Sequence, residues 1–425
     1  MSDDLSTLTT SLAYDMLERI GPPGDPPEPD QRVLTTAAEL ADVVDEIRED
    51  GFVGFDTEFV SESFYRPKLC LLQFATLDRL VAVDPFTCGS LDSFWEVMCD
   101  PEIVKLVHGG REEIRFCLTD YGQAPQNVID IQVAQAFLGR SFPMSYKAIC
   151  QKTIGTQIST HETRTDWSRR PLSSKQIRYA LEDVEHLHRI AWHQFEQLRR
   201  LDRTSWAEAE FEQLVQTVES EPERDTFQRV SGVTRLRGVE LAVADALHEY
   251  RREEAMRLNK PIKHVLRDDL ILDISRRQPR TRAELFHTRG MSRKFTNETA
   301  ETVVQVVADA MRLPKADWPK LPRAPKAGPG DETLTKLLAI ALSDRCAELD
   351  IAMSMVGSQR DLQDVVRHHA GYSDATETPK LLRGWRKTVC GSMLADLLDG
   401  RVSIRVKNPK LAAPLAFEST GADGS

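Results

Sequence analysis

The spacing of apolar residues changes character near residue 200. Before it, FVGFDTEFV (52–60), KLCLLQFAT (68–76), RLVAVDP (79–85), EIVKLVHG (102–109) and NVIDIQ (127–132) are short β-rich runs with polar breaks between them, which predicts five strands. Helical spacing separates some of them, in TTAAELADVVDEIRED (35–50), SLDSFWEVMC (90–99) and REEIRFCLTDYG (111–122), and takes over from there to about residue 200. Strands alternating with helices predict an α/β domain with a mixed sheet. One helix start is sharply marked: Pro171 precedes Ser173, and Ser173 with Gln176 has the spacing of a capping box, so a helix is expected from Ser173 as far as Leu201.

Beyond residue 210 the strand signal disappears. Residues 210–320 are rich in Arg, Lys and Glu and read as a helical domain. DWPKLPRAPKAGPGD (317–331) reads as a Pro-rich linker, and a second helical segment follows over 332–400. The last 15 or so residues, KLAAPLAFESTGADGS, are expected to fray, and GPPGDPPEPD, which closes residues 1–30, reads as linker or ordered coil.

A length of 425 residues predicts two to four domains, and 41% apolar residues suit a globular protein with a sizeable core. The net charge of −11 excludes a uniformly basic polyanion coat, so any nucleic-acid contact must use a local patch. The 7 cysteines include no C-x-x-C pair and read as small buried residues of a reducing compartment. No apolar run approaches the roughly 20 residues that span a bilayer, and MSDDLSTLTT does not resemble a secretory signal, so no membrane partner and a cytoplasmic location are expected.

Four acidic positions spread over about a hundred residues are the candidate chemistry. Side chains alternate along a strand, so Asp56 and Glu58 share a face, where burial without compensation is unfavourable. A bound cation would compensate them, and so would a solvated edge strand. Glu112 and Glu113 follow His108-Gly109-Gly110, where acidic residues also simply suit the first turn of a helix. Tyr179 and Asp183 are an i,i+4 pair on one helix face, which would serve a surface helix equally well. His186, His188 and His193 lie nearby but have no partners at zinc-site spacing.

Taken together these segments resemble the DEDD superfamily of 3′–5′ exonucleases, in the branch with tyrosine in the third motif: FDTEF (55–59) supplies Asp-x-Glu and YALED (179–183) supplies Tyr-x-x-x-Asp. SFYRPKLCLLQFA, VIDIQVAQAFLG and TRTDWSRRPLSSKQIRYALEDVEHL resemble the ribonuclease D family over roughly residues 35–200. RGVELAVADALHEYRREEAMRLNKPIKHVLRDDLILDISRRQP resembles an HRDC domain, and LLRGWRKTVCGSMLADLLDGR resembles that family's second, more divergent helical domain. The implied fold is an RNase H-like mixed-sheet exonuclease domain followed by two all-α HRDC-like domains. The implied boundaries are an N-terminal extension (1–32), the exonuclease (33–205), a connecting helix (206–232), HRDC (233–314), a linker (315–331), the second helical domain (332–405) and a tail (406–425).

The resemblance implies that Asp56, Glu58, Glu113 and Asp183 bind two Mg²⁺ or Mn²⁺ ions about 4 Å apart, Asp56 bridging, with Tyr179 positioning the attacking water. It implies release of nucleoside 5′-monophosphates from RNA 3′ ends, with tRNA precursors as substrate class and a monomeric enzyme. One position departs from the pattern: five residues after His108 the family has aspartate, and this chain has Glu113. Glutamate keeps the charge and adds a methylene, so activity is expected to persist, retuned. Two alternatives remain: an exonuclease preferring DNA, and a non-catalytic RNA-binding scaffold.

An acidic chain needs local positive charge to hold RNA. Residues 250–298 contain thirteen Lys/Arg against seven Asp/Glu. Arg251, Arg252, Arg276, Arg277, Arg293 and Lys294 are the candidates there, with Arg280 and Arg282 beside them, and Arg164, Arg169 and Arg170 flank Trp167 in the nuclease half. The competing readings are intrahelical pairing, as for Arg252 with neighbouring acids, and a structural role for the Trp167 loop ahead of the helix.

Overall fold

The first half of the chain builds a six-stranded mixed sheet in the order β1-β4-β3-β2-β5-β6. In this computed structural model residues 12–158, 165–221, 226–288, 290–291, 297–321, 328–372 and 377–420 are described. The elements run α1 (Leu12–Ile20), β1 (Pro29–Leu34), α2 (Ala37–Asp50), β2 (Phe52–Val60), β3 (Lys68–Ala75), β4 (Leu80–Val83), α3 (Asp92–Cys99), β5 (Val104–Val107), α4 (Arg111–Phe116), β6 (Val128–Asp130), α5 (Ile131–Gln135), α6 (Tyr146–Thr153), α7 (Ser174–Glu185), α8 (Leu187–Arg200) and α9 (Thr204–Glu219). β2 and β3 pair antiparallel, as do β3 and β4; β5 joins β2 in parallel, β6 joins β5, and β1 joins β4.

Strand alternation divides the sheet into two buried faces. Val53, Phe55, Leu72, Phe74 and Val83 pack with Val44 and Ile47 of α2 and Phe94 and Trp95 of α3. Phe52, Leu71, Ala75 and Ala82 face the other way and pack with Ala180, Leu181 and Val184 of α7 and Leu187 of α8.

Three local readings needed correction. The GPPGDPPEPD stretch is not coil to its end: Pro29 and Asp30 open β1, which completes the sheet edge, and ahead of it Tyr14 and Leu17 of α1 are buried. The helix from Ser173 does not reach Leu201 unbroken. At His186 the backbone leaves helical geometry (φ −110°, ψ 7°), and its N–H donates to the Tyr146 hydroxyl at 3.1 Å instead of continuing the helical ladder. The C-terminal tail is not frayed throughout, because Val402–Val406 and Leu415–Ser419 pair as an antiparallel hairpin, β7 and β8.

The two helical regions attach differently. Residues 227–312 enclose their own core of Val243, Leu247, Ile271, Ile274, Leu285, Val303 and Val307. In the C-terminal region Leu338, Leu342, Val366, Trp385 and Leu394 instead belong to the same core as Phe137, Phe195 and Phe211 of the nuclease half. Arg386 and Glu210 form a buried ion pair there at 2.7 Å, the Trp385 indole donates to Glu210 at 2.9 Å, and Arg203 bridges the Phe137 and Leu349 carbonyls at 2.7 and 2.8 Å.

Candidate active site

Asp56 and Glu58 project from β2 toward α7, with Thr57 between them on the opposite face, as alternation requires. α7 brings Asp183 over the same face. One carboxylate oxygen from each of Asp56, Glu58 and Asp183 lies within 4.8 Å of the other two, and all three residues are half-buried.

The start of α7 is held firmly. The Ser173 hydroxyl accepts from the Gln176 N–H (3.3 Å) while the Gln176 side chain accepts from the Ser173 N–H (3.0 Å), a closed capping box of the kind that contributes about 1 kcal/mol. Just before it, Arg170 donates to the Asp84 carboxylate (2.9 Å) and to the Trp167 carbonyl (2.8 Å). Tyr179 stands one turn before Asp183 on α7, where the Asp183 charge acts on its phenol, and its ring lies 6.2 Å from that of Trp167.

α4 is placed by a residue whose role the sequence reading missed. The Asp130 carboxylate accepts the N–H groups of Gly109 and Gly110, each at 3.0 Å, and that of Gln132 at 2.8 Å. Gly109 has φ +66°, and a side chain at Gly110 would sit 2.3 Å from Val107, so the turn into α4 demands both glycines. This turn sets Glu113 into the interior, where it accepts a hydrogen bond from the Thr57 hydroxyl at 2.6 Å. Glu113 is 5% exposed and stands outside the group of three, yet its charge is the largest neighbouring influence raising Asp56. Glu112 pairs with Arg115 on the outer side of α4.

The electrostatics follow from crowding. Burial, followed by the charges of Glu113, Asp183 and Glu58, holds the Asp56 carboxyl well above the usual range. Burial, with Asp183 and Glu113 nearby, pushes Glu58 up to about 8. Asp183 and Glu113 are each pushed up to about 7, chiefly by burial. Tyr179 is also raised, by burial and then by Asp183, so its phenol stays protonated through the neutral range. Such oxygen donors suit hard divalent cations, and the raised values show that the protein itself does not neutralise them.

Residues 31–198 match a family model described as 3′-5′ exonuclease, and residues 240–307 match the HRDC domain. Ribonuclease D of Gluconacetobacter diazotrophicus is 33% identical over 386 residues, covering 90% of this chain and 96% of that protein. The chain belongs to the ribonuclease D family. A second family member, from Sphingobium indicum, is 30% identical over 89% of this chain and 97% of its own length. The crystal structure of Escherichia coli RNase D, titled an exoribonuclease involved in structured RNA processing, superposes with a TM-score of 0.78 at 25% identity, covering 87% of this chain and 98% of that one. The chain is therefore a 3′–5′ exoribonuclease, a hydrolase that acts on RNA, and its acidic cluster is compatible with the divalent-metal dependence of DEDD exonucleases.

The arginines expected at RNA are sorted by the fold. Arg170 is tied to Asp84 and to backbone carbonyls and serves the loop before α7. Arg251 is 5% exposed and pairs with Asp268 at 2.6 Å while donating to the Leu266 carbonyl, so it belongs to the HRDC interior rather than to a phosphate-binding surface. Arg252 pairs with Glu249 on its own helix at 3.1 Å, and Arg282 with Glu301 at 3.0 Å. Arg169 is exposed beside Asp166, 3.1 Å away. Arg276 and Arg277 are exposed in the last turn of the helix Asp268–Arg277, where positive charge also suits the helix dipole. Arg164, Arg293 and Lys294 lie outside the described residues.

Proposed function

We propose that this enzyme trims the 3′ ends of structured RNAs, tRNA precursors among them, one nucleoside 5′-monophosphate at a time, as a cytoplasmic monomer using two Mg²⁺ ions, with Mn²⁺ as a substitute. The observation that carries this reading is the convergence of Asp56, Glu58 and Asp183, three half-buried carboxylates whose oxygens crowd within 4.8 Å. Asp56, Glu58 and Asp183 are the residues to hold the ions, with Glu113 beside them. The bound ions would supply charge neutralisation at the scissile phosphate and acidify the attacking water. Tyr179, protonated and one helical turn from Asp183, orients that water rather than accepting its proton. Thr57 fixes one oxygen of Glu113, which limits how far the longer side chain can wander in place of the family's aspartate. No helix among the described residues is long and apolar enough to cross a membrane.

A 3′-labelled tRNA precursor incubated with Mg²⁺ should release labelled 5′-monophosphate, and chelator should abolish release. Single-stranded DNA of matched length should be degraded far more slowly. Equal rates on DNA would remove the RNA assignment, and no release from either would leave a binding scaffold.

A further inference from the structure

We infer that Gln73, on β3, is a positioning residue for Asp56. The inference rests on the site assignment above. Gln73 is paired directly across from Asp56 in the antiparallel β2–β3 ladder. Residues directly opposite in such a ladder share a face, with Cβ atoms about 5 Å apart. The flanking residues agree: Leu71 and Ala75 belong to the core beneath α7, while Leu72 and Phe74 belong to the core on the far side. The Gln73 side chain therefore lies on the carboxylate face of the sheet, in a run, KLCLLQFA, that is otherwise apolar after its first residue.

Gln73 is 0% exposed, and neither its amide nitrogen nor its amide oxygen has a hydrogen-bond partner. A buried amide with both ends unsatisfied is unfavourable, and natural cores retain few of them. An apolar residue of similar length would fill the same space without that penalty, so packing does not account for glutamine here. The residue paired across from it on that face carries an acceptor, the Asp56 carboxylate. The Nε2 donor of Gln73 would then fix one Asp56 oxygen and leave the other directed at a cation.

The test compares Gln73→Met with the parent in the full-length enzyme, with Asp56→Asn as control. For Gln73→Met the expected results are a kcat at least tenfold lower, a KM for RNA within twofold of the parent, a Tm in chelator equal or higher, and Mn²⁺ affinity without RNA weakened several-fold. A merely structural glutamine would lower Tm and leave kcat and Mn²⁺ affinity alone, and that result would overturn the inference. Lower kcat with unaltered Mn²⁺ affinity would also overturn it, since the amide would then act on RNA rather than through Asp56. If Gln73→Met does not fold, Gln73→Asn, which keeps the amide but withdraws it by one methylene, should show the same losses; parent values would refute the role. Parent-level turnover in Asp56→Asn would instead show that the site assignment itself had failed, a result separate from any of these.

Discussion

The carboxylate pocket and the HRDC region both concentrate one sign of charge, and the protein treats the two in opposite ways. In the pocket, Asp56, Glu58, Glu113 and Asp183 crowd together and are pushed toward their neutral forms. In the HRDC region, Arg251, Arg252, Arg267 and Arg282 each have an acidic partner, at Asp268, Glu249, Asp269 and Glu301. Charge that is left uncompensated inside a fold works on something brought from outside. Charge that is matched at home mainly shapes the fold.

The largest test of that contrast is Asp56→Asn. Removing one of the crowded charges should lower turnover by about 100- to 1000-fold or more while Tm in chelator stays level or rises, because mutual repulsion is relieved. Turnover and thermal melting of one preparation check both halves of the expectation. Arg251→Met should give the reverse pattern. It strands the partly buried Asp268, so the HRDC region should lose about 2–3 kcal/mol. Because that region has a separate core, calorimetry should show an earlier transition for it with the nuclease transition unmoved.

A smaller effect tests the pocket by pH. Glu58 ordinarily titrates near 4.5 and is raised to about 8 in the folded chain. The unfolded chain releases that proton first, so in chelator stability should fall as pH rises from about 4.5 to 8. Tm in chelator should therefore drop by several degrees between pH 5.5 and 8, and Mg²⁺ should restore more of it at pH 8 than at pH 5.5. A flat profile would mean the crowding is relieved within the protein. The smallest effect belongs to the exposed arginines: Arg276→Ala and Arg277→Ala should each weaken RNA binding a few-fold and reduce the slope of log affinity against log salt by about 1. Unchanged slopes would place that surface with the matched arginines.

How legible all this was depended on whether the signal was local. β2 to β6 and the capped start of α7 were readable because period-2 runs and a capping box are local features. β1 was not, because PDQRVL is polar and follows prolines; it becomes a strand by pairing with β4. The break at His186 depends on Tyr146, forty residues earlier, and Arg170 depends on Asp84, so neither could be seen from its own neighbourhood. Arg251 could have been read correctly. It continues the stripe Ala244, Leu247, His248 and Ala255, all buried, so its place on an inward face was visible in the spacing. Within the site, the motifs marked the carboxylates, but Thr57 beneath Glu113 and Asp130 beneath the two glycines needed three dimensions.

The common core of the nuclease half and the C-terminal region bears on how the molecule is made. Trp385 stacks on Trp206 at 5.7 Å and meets Phe137 at 5.0 Å, and Ala352 bonds to the backbone of Ala136. A ribosome delivers Phe137 and Trp206 first and their cover later, with the self-contained HRDC region emerging in between. The catalytic half must therefore wait with an uncovered apolar wall until the C-terminal region has been made, and a transcript cut short after the HRDC region would release that wall to aggregation or proteolysis.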